Sequence, residues 1–262
     1  MSSELICSTP SKEGPAIRFP QASEGLAQNR EWCEVKLNDR WQKFRFHDYE
    51  RIYEVPGLYE ALFYKHLKCS SPQRVAGLLD DLLSDHRVDP EELRVLDVGA
   101  GNGMVGEQLK LLGAKHIVGV DIVEEAKMAA KRDRPDVYDE YLVTDLCGPS
   151  PEDQQALEEF DFNCMTTVAA LGFGDIPVHA FTKAFSFIEE GGWLAFNIKE
   201  DFLDEEDDTG FSAMIRHMQH SGTIRMQAYR RYRHRFTVCG DPLNYVAIIA
   251  TKQTQLPDAL VD

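Results

Sequence analysis

Three carboxylates and a run of glycines carry the plainest chemistry in this chain. Asp97 stands two residues ahead of Gly99, and Gly99, Gly101 and Gly103 alternate with Ala100 and Asn102 before Met-Val-Gly106. Asp121 closes His116-Ile-Val-Gly-Val-Asp, and Asp145 closes Tyr141-Leu-Val-Thr-Asp. Glycines so spaced let the backbone turn tightly and approach a ligand with no Cβ between them. The N–H groups opening the following helix offer hydrogen bonds and a positive dipole end. Gly101-Asn-Gly-Met-Val-Gly106 also reads as a dinucleotide G-x-G-x-x-G, with Asp121 following at about the distance expected of a ribose-binding acid. An acid directly ahead of the glycines repels a pyrophosphate, however, and suits a ligand that carries positive charge.

Those acids need strands to hold them. Val95, Leu96 and Val98 form the short apolar run of a buried parallel strand, and Met104, Val105, Leu109 and Leu112 continue at helical spacing up to Gly113. The alternation then repeats: strand 116–122, helix 123–131, strand 141–146, acidic helix 151–159, strand 160–167, helix 177–188, strand 192–197. A helix at Phe211–His220 precedes two strands, Thr223–Val238 and Leu243–Thr251, joined at Gly240-Asp-Pro242. The pattern predicts an α/β fold: a doubly wound, Rossmann-like sheet of seven strands closed by a C-terminal antiparallel hairpin. Such an ending is foreign to most dinucleotide domains.

Ahead of the sheet, Trp41, Phe44, Phe46, Tyr49, Tyr53, Tyr59, Phe63 and Tyr64 crowd a segment whose leucines fall at helical spacing. This predicts an N-terminal helical cap, with Ser71-Pro72 in N-cap and N1 order. The chain divides into a loosely ordered arm (1–40), an aromatic cap or lid (41–88), the α/β domain (89–254) and a tail (255–262).

Composition narrows the function. The formal charge of −16 over 262 residues is unlike a nucleic-acid or anionic-membrane binder and ordinary for solubility. Six cysteines without paired Cys/His spacing give neither a disulfide framework nor a zinc site, so no metal is expected. The first residues lack a basic region and apolar core, and no run reaches membrane-spanning length, which makes the cytoplasm the expected location. Seven of the nine residues Glu200–Asp208 are acidic and read as a solvated loop. No feature specifies an oligomeric state.

The Asp97-x-Gly-x-Gly-x-Gly103 turn resembles the first motif of the class I S-adenosylmethionine-dependent methyltransferases. That resemblance spans about residues 45–253 and implies S-adenosylmethionine as cofactor and S-adenosylhomocysteine as product. It implies that Asp97, Gly99, Ala100, Gly101, Asn102 and Gly103 serve the methionine end. Asp121 would take both ribose hydroxyls with Ile122 on the adenine, and Asp145, Leu146 and Val168 would border the ring. The Ser71-Pro-Gln-Arg-Val-Ala, Val168-Ala-Ala-Leu-Gly and His234-Arg…Gly240-Asp-Pro-Leu…Tyr245-Val pieces are similar to the methyltransferase-like group named for the Williams–Beuren syndrome region. The rival readings are an NAD(P)-dependent oxidoreductase and a catalytically silent S-adenosylmethionine-binding protein.

The loop after the fourth strand lacks the Asn/Asp-Pro-Pro-aromatic pattern of base-amino methyltransferases and the paired glutamates of protein arginine methyltransferases. A small-molecule acceptor with an O, N or S nucleophile is therefore expected. Methyl transfer is an in-line displacement that asks chiefly for alignment and exclusion of water, plus a base where the acceptor must lose a proton. His47, Tyr49, Tyr59 and Asp175 are the catalytic candidates, with Tyr53 and Lys199 beside them. Arg225, Arg230, Arg231, Arg233 and Arg235 read as the outer face of a strand, or alternatively as the counter-charge for a carboxylate-bearing acceptor.

Overall fold

The computed structural model describes residues 14–20, 26–171, 175–203 and 209–256. Its centre is a seven-stranded sheet in the order β6-β5-β4-β7-β8-β10-β9. These are β4 (Arg94–Val98), β5 (His116–Asp121), β6 (Glu140–Val143), β7 (Cys164–Thr167), β8 (Trp193–Lys199), β9 (Ile224–Phe236) and β10 (Pro242–Lys252). β4 through β8 run parallel, while β10 runs antiparallel to both β8 and β9. The predicted doubly wound sheet and terminal hairpin are both present.

The strands are apolar on both faces because helices cover both. Leu96 and Val98 of β4 join Phe181, Phe185, Phe211 and Met214 of α6 (Val178–Ser186) and α7 (Phe211–His220) in one core. Val95 joins Leu79, Leu83 and Leu109 of α2 (Ser71–His86) and α3 (Met104–Leu112) in the other. The acidic helix α5 (Pro151–Glu159) contributes only Leu157. Its Ser150 hydroxyl accepts the Asp153 N–H as a true N-cap.

The chain leaves β4 outward to β5 and β6, then returns to lay β7 on the other side of β4. That reversal opens a crevice at the carboxyl ends of the strands, where open α/β sheets hold ligands.

The amino-terminal third departs from the expected arm and wholly helical cap. β1 (Ile17–Arg18), β2 (Trp32–Leu37) and β3 (Arg40–Arg45) form a small antiparallel sheet that crosses the boundary placed at residue 40. Trp41 and Phe44 lie on a strand, not a helix. The reason is local: Cys33 and Val35 alternate inward, and Asn38-Asp39 (φ 49 and 60°) supply the left-handed pair of a two-residue hairpin turn. The helical part follows as α1 (Tyr49–Glu54), a π-helical turn (Glu60–His66) and α2. Three strand residues of the supposed arm and cap, Cys33, Val35 and Phe44, form a third core with Phe46, Ile52, Leu58 and Leu62.

Two further expectations change. Ser71 is the first residue of α2 and does not cap it; its hydroxyl is buried against Tyr232 and His234. Of the five arginines, four on β9 face solvent, but Arg235 is buried. The acidic stretch from Glu200 begins as a 3-10 turn (Glu200–Leu203), and Arg231 grips Glu200 at 2.7 and 2.9 Å; residues 204–208 lie outside the described residues. In the tail, Leu256 is buried, and residues 257–262 lie outside the described residues. No described helix is long and apolar enough to cross a membrane.

Candidate active site

A cavity of about 500 Å³ sits in the crevice at the carboxyl ends of β4, β5, β6 and β7. Its floor is Val98-Gly99, Asp121-Ile122, Thr144 to Cys147 and Val168 to Ala170, and its roof is Tyr49, Tyr53 and Tyr59. Six of the sequence-predicted cofactor residues therefore face one space: Gly99, Asp121, Ile122, Asp145, Leu146 and Val168.

The glycine turn is held from behind. Gly99, Gly101 and Gly103 all have positive φ, at 69, 55 and 87°, a region that side chains disfavour. The N–H groups of Gly99 and Ala100 both donate to the Val120 carbonyl, at 2.8 and 3.1 Å. A Cβ at Gly101 would meet the Tyr53 hydroxyl at 2.5 Å, and one at Gly106 would meet Val137 at 2.4 Å. The first clash concerns the roof, and the second the seating of α3.

Asp121 accepts hydrogen bonds from the N–H of Gly101 at 2.9 Å and of Val123 at 3.0 Å. Burial pushes its carboxyl upward, and those backbone donors pull it back. A carboxylate has about four lone-pair sites, so capacity remains on the cavity side for hydroxyl donors. Ile122 is 62 % exposed, an unusual exposure for an isoleucine beside a cavity, and it stands with the buried Leu146 at that end. Asp145 is exposed, its side chain accepting the Cys147 N–H at 2.8 Å.

Five predicted residues do not line the cavity: Asp97, Ala100, Gly101, Asn102 and Gly103. Asp97 is 1 % exposed and accepts hydrogen bonds from Thr166 Oγ1 at 2.7 Å and Tyr138 Oη at 2.8 Å. Burial lifts its carboxyl to about 6, against the lowering effect of those two donors. Asn102 is also buried, donating to Glu60 Oε1 at 3.3 Å, and its own Oδ1 has no partner among the described residues. These residues shape the turn instead of presenting their side chains to the cavity.

The catalytic candidates converge although they are far apart in sequence. His47 Nδ1 lies 3.1 Å from Asp175 Oδ2, joining the end of the small sheet to the segment before α6. Asp175 is thus not the cap of α6, whose N-cap is Pro177. Since a carboxylate only accepts, Nδ1 carries the proton of this contact. The His47 and Tyr49 rings meet edge to face at 5.8 Å, and Tyr49, Tyr53 and Tyr59 stack onward at 6.2 and 5.0 Å. Burial drives the Tyr49, Tyr53 and Tyr59 hydroxyls well above their ordinary value, so they keep their protons and cannot act as bases. Lys199 pairs with Asp201 and does not line this cavity.

Sequence reading missed the residues that brace the loop after β7. Asn197, fully buried on β8, accepts the Ala169 N–H at 2.6 Å and donates to Ser71 Oγ at 3.0 Å and Tyr232 Oη at 2.5 Å. Ala169 needs that hold because its φ is +61°. The signal was one amide within the otherwise apolar Trp193–Ile198 run. Among the described residues, no group of three His, Cys, Asp or Glu side chains is placed to hold a metal ion.

Comparison with known proteins bears on this geometry. A family model described as a methyltransferase domain matches residues 67–236. A similar solved structure is an S-adenosylmethionine-dependent methyltransferase from Clostridium acetobutylicum, at 11 % identity and TM-score 0.51, covering 75 % of this chain and 97 % of that one. Another is the magnesium protoporphyrin IX methyltransferase of Synechocystis PCC 6803 with bound SAM, at 16 % identity and TM-score 0.47, covering 70 and 79 %. A third is the ribosomal protein L11 methylase of Lactobacillus delbrueckii subsp. bulgaricus, at 18 % identity and TM-score 0.46, also covering 70 and 79 %. The comparison with curated proteins returned no match.

Proposed function

This chain belongs to the methyltransferase domain family, and from that premise we propose that it binds S-adenosylmethionine and methylates an O, N or S nucleophile of a small molecule. The observation that carries this reading is the roofed cavity at the strand ends with Asp121 on its floor and the exposed Ile122 beside Leu146. The residues fit that ligand: an acid with acceptor capacity for two ribose hydroxyls, and apolar side chains for the adenine. When bound, S-adenosylmethionine supplies an electrophilic methyl group on a sulfonium, whose leaving group is the neutral thioether S-adenosylhomocysteine.

The chain's own residues supply the rest. Asp121 orients, and Ile122 with Leu146 desolvates. Tyr49, Tyr53 and Tyr59 close the space from above, excluding water from the reacting atoms. His47 is oriented by its Nδ1 contact with Asp175, as a general base is by a carboxylate partner. The roof favours a small acceptor over a polymer, and the −16 charge disfavours a polyanion. The likeness to the Williams–Beuren group rests on Ser71-Pro-Gln-Arg-Val-Ala, Val168-Ala-Ala-Leu-Gly and His234-Arg…Gly240-Asp-Pro-Leu…Tyr245-Val, of which Val168 to Leu171, His234, Arg235 and Tyr245 stand around this region.

The test is calorimetry with S-adenosylmethionine, S-adenosylhomocysteine, NAD⁺ and NADH. The expected result is binding of the first two and neither of the others. Two charge-assisted bonds worth about 1.5–3 kcal/mol each make Asp121→Ala weaken S-adenosylhomocysteine binding by about a hundredfold or more. Binding of NADH alone would return the chain to the oxidoreductase reading. Binding with no turnover on any acceptor would favour a silent binder.

A further inference from the structure

Behind the roof lies a second space, lined by all four catalytic candidates, His47, Tyr49, Tyr59 and Asp175. This annex, about 40 Å³, is walled by Gln28, Phe46, His234 and Tyr245, and it shares Tyr49, Tyr59, Ala169 and Asp175 with the main cavity. His47 lines the annex and contacts Asp175, which lines both. At roughly 10–15 Å³ of such volume per water, the annex admits a single small polar substituent and no ring.

Its chemistry is one-sided. Gln28 Nε2 donates to Tyr245 Oη at 2.9 Å, while Gln28 Oε1 is buried with no partner among the described residues. A buried polar atom left unpaired costs free energy unless something pairs it. Tyr245 is held flat against the His234 ring, centroids 4.1 Å apart, which fixes the amide in place. The cation in the wall is already neutralised: Arg235 is bonded to the fully buried Glu31 at 2.5 Å and to the Phe236 carbonyl at 2.8 Å. Burial also lowers His234 well below the ordinary imidazole range, leaving it uncharged. What remains is a carboxylate beside His47 and an unpaired acceptor opposite, so an anion is repelled and a neutral donor is welcomed.

Resting on the proposed methyltransferase reading, we propose that this annex is the recognition site for the methyl acceptor, and that the acceptor is a neutral phenol-class small molecule. Its aromatic ring lies at the shared mouth against Tyr49 and Tyr59, and its hydroxyl enters between His47 and Gln28. Gln28 is a specificity-determining residue, accepting a hydrogen bond from that hydroxyl or its ring neighbour. A carboxylate-bearing acceptor, one reading of the arginine series, meets here Arg235 already bonded to Glu31 and Phe236 among the described residues.

Three probes differing in one substituent test this: phenol, benzoate and anisole, titrated by ligand-detected NMR onto full-length protein saturated with S-adenosylhomocysteine. Phenol binds, anisole binds about tenfold more weakly for want of a donor, and benzoate is weaker still. Gln28→Leu lowers phenol affinity by about tenfold and leaves S-adenosylhomocysteine affinity and melting temperature unchanged. Should Gln28→Leu fail to fold, Tyr245→Phe removes only the hydroxyl that holds the amide, and gives a smaller loss in the same direction. Benzoate binding at least as tightly as phenol, equal affinity for anisole and phenol, or indifference of phenol to both substitutions overturns the proposal. Failure of the parent to bind S-adenosylhomocysteine would instead overturn the methyltransferase reading, which separates the two.

Discussion

Asp97 is a buried acid whose carboxylate holds two hydroxyls behind the glycine turn, so its protonation state decides what it contributes. Its carboxyl titrates near about 6 in the folded chain because burial outweighs the Thr166 and Tyr138 hydrogen bonds. An unfolded aspartate titrates near about 3.9. A folded value above the unfolded one means the stabilisation is fully present below the unfolded pKa and is lost as pH rises through about 6. The two-unit difference corresponds to about 3 kcal/mol. Asp97→Asn removes this dependence, so its stability relative to the parent should rise between about pH 4 and 6.5, read from urea midpoints across that window. Asp97→Ala should lose stability throughout, since it strands the Thr166 hydroxyl and leaves Tyr138 only its 3.4 Å contact with the Ala100 carbonyl. A parallel pH dependence in parent and Asn variant would mean the acid is solvated. The motif around Asp97 was legible in the sequence, but the acid's inward aim was not: Thr166 and Tyr138, which hold it, lie 69 and 41 residues away.

The elements that make the site divide into a rigid floor and a tethered roof. The floor could be read from the chain because each acid ends a strand, and alternation of strand and helix fixes on which sheet edge those ends gather. The roof could be read only as an aromatic cluster, because its attachments are long-range. Arg134, just past α4 (Glu124–Asp133), donates to Glu60 Oε1 at 2.6 Å and to the Asn102 carbonyl at 3.2 Å. Arg132 reaches the Tyr53 carbonyl at 3.1 Å, and Tyr53 packs on Ala126 and Ala129 of α4. The roof is thus tied to the very turn it covers. Arg134→Met should release it, with amide exchange across residues 49–66 accelerating in the free protein and S-adenosylhomocysteine slowing it again. Cofactor affinity should fall several-fold, because the binding-competent closed lid becomes less populated. Unchanged exchange in the variant would assign the closure to tyrosine stacking alone.

Across the whole molecule, a segment near the start of the chain and one near its end meet beside the site. Glu31, ahead of β2, accepts from Arg235 of β9 at 2.5 Å and from the Val238 N–H at 2.7 Å, and is fully buried. Gln28 reaches Tyr245 of β10 across 217 residues of sequence. The segments flanking the small sheet, at Gln28 and at Phe46-His47, therefore wall the annex, and the sheet packs its own core with α1 and the turn after it, so it is not an arm. Nothing near Glu31 in the sequence announces this, since its partner is an arginine in a series whose other members face solvent. Two changes test the unity of the fold. Glu31→Ala leaves a buried guanidinium uncompensated, and breaking such a pair costs about 3–5 kcal/mol. Removing residues 1–40 strips Glu31 and Gln28 together and uncovers the inward faces of Phe44 and Phe46, so the remainder should aggregate or melt far below the parent. Glu31→Met is the informative middle case. It leaves the same cation unpaired but fills the volume, so a loss close to that of Glu31→Ala locates the cost in the stranded charge, and a much smaller one locates it in packing. A truncated chain with the parent's melting temperature and S-adenosylhomocysteine affinity would restore the small sheet to the status of an appendage. The cofactor cavity would then stand on the seven-stranded sheet alone.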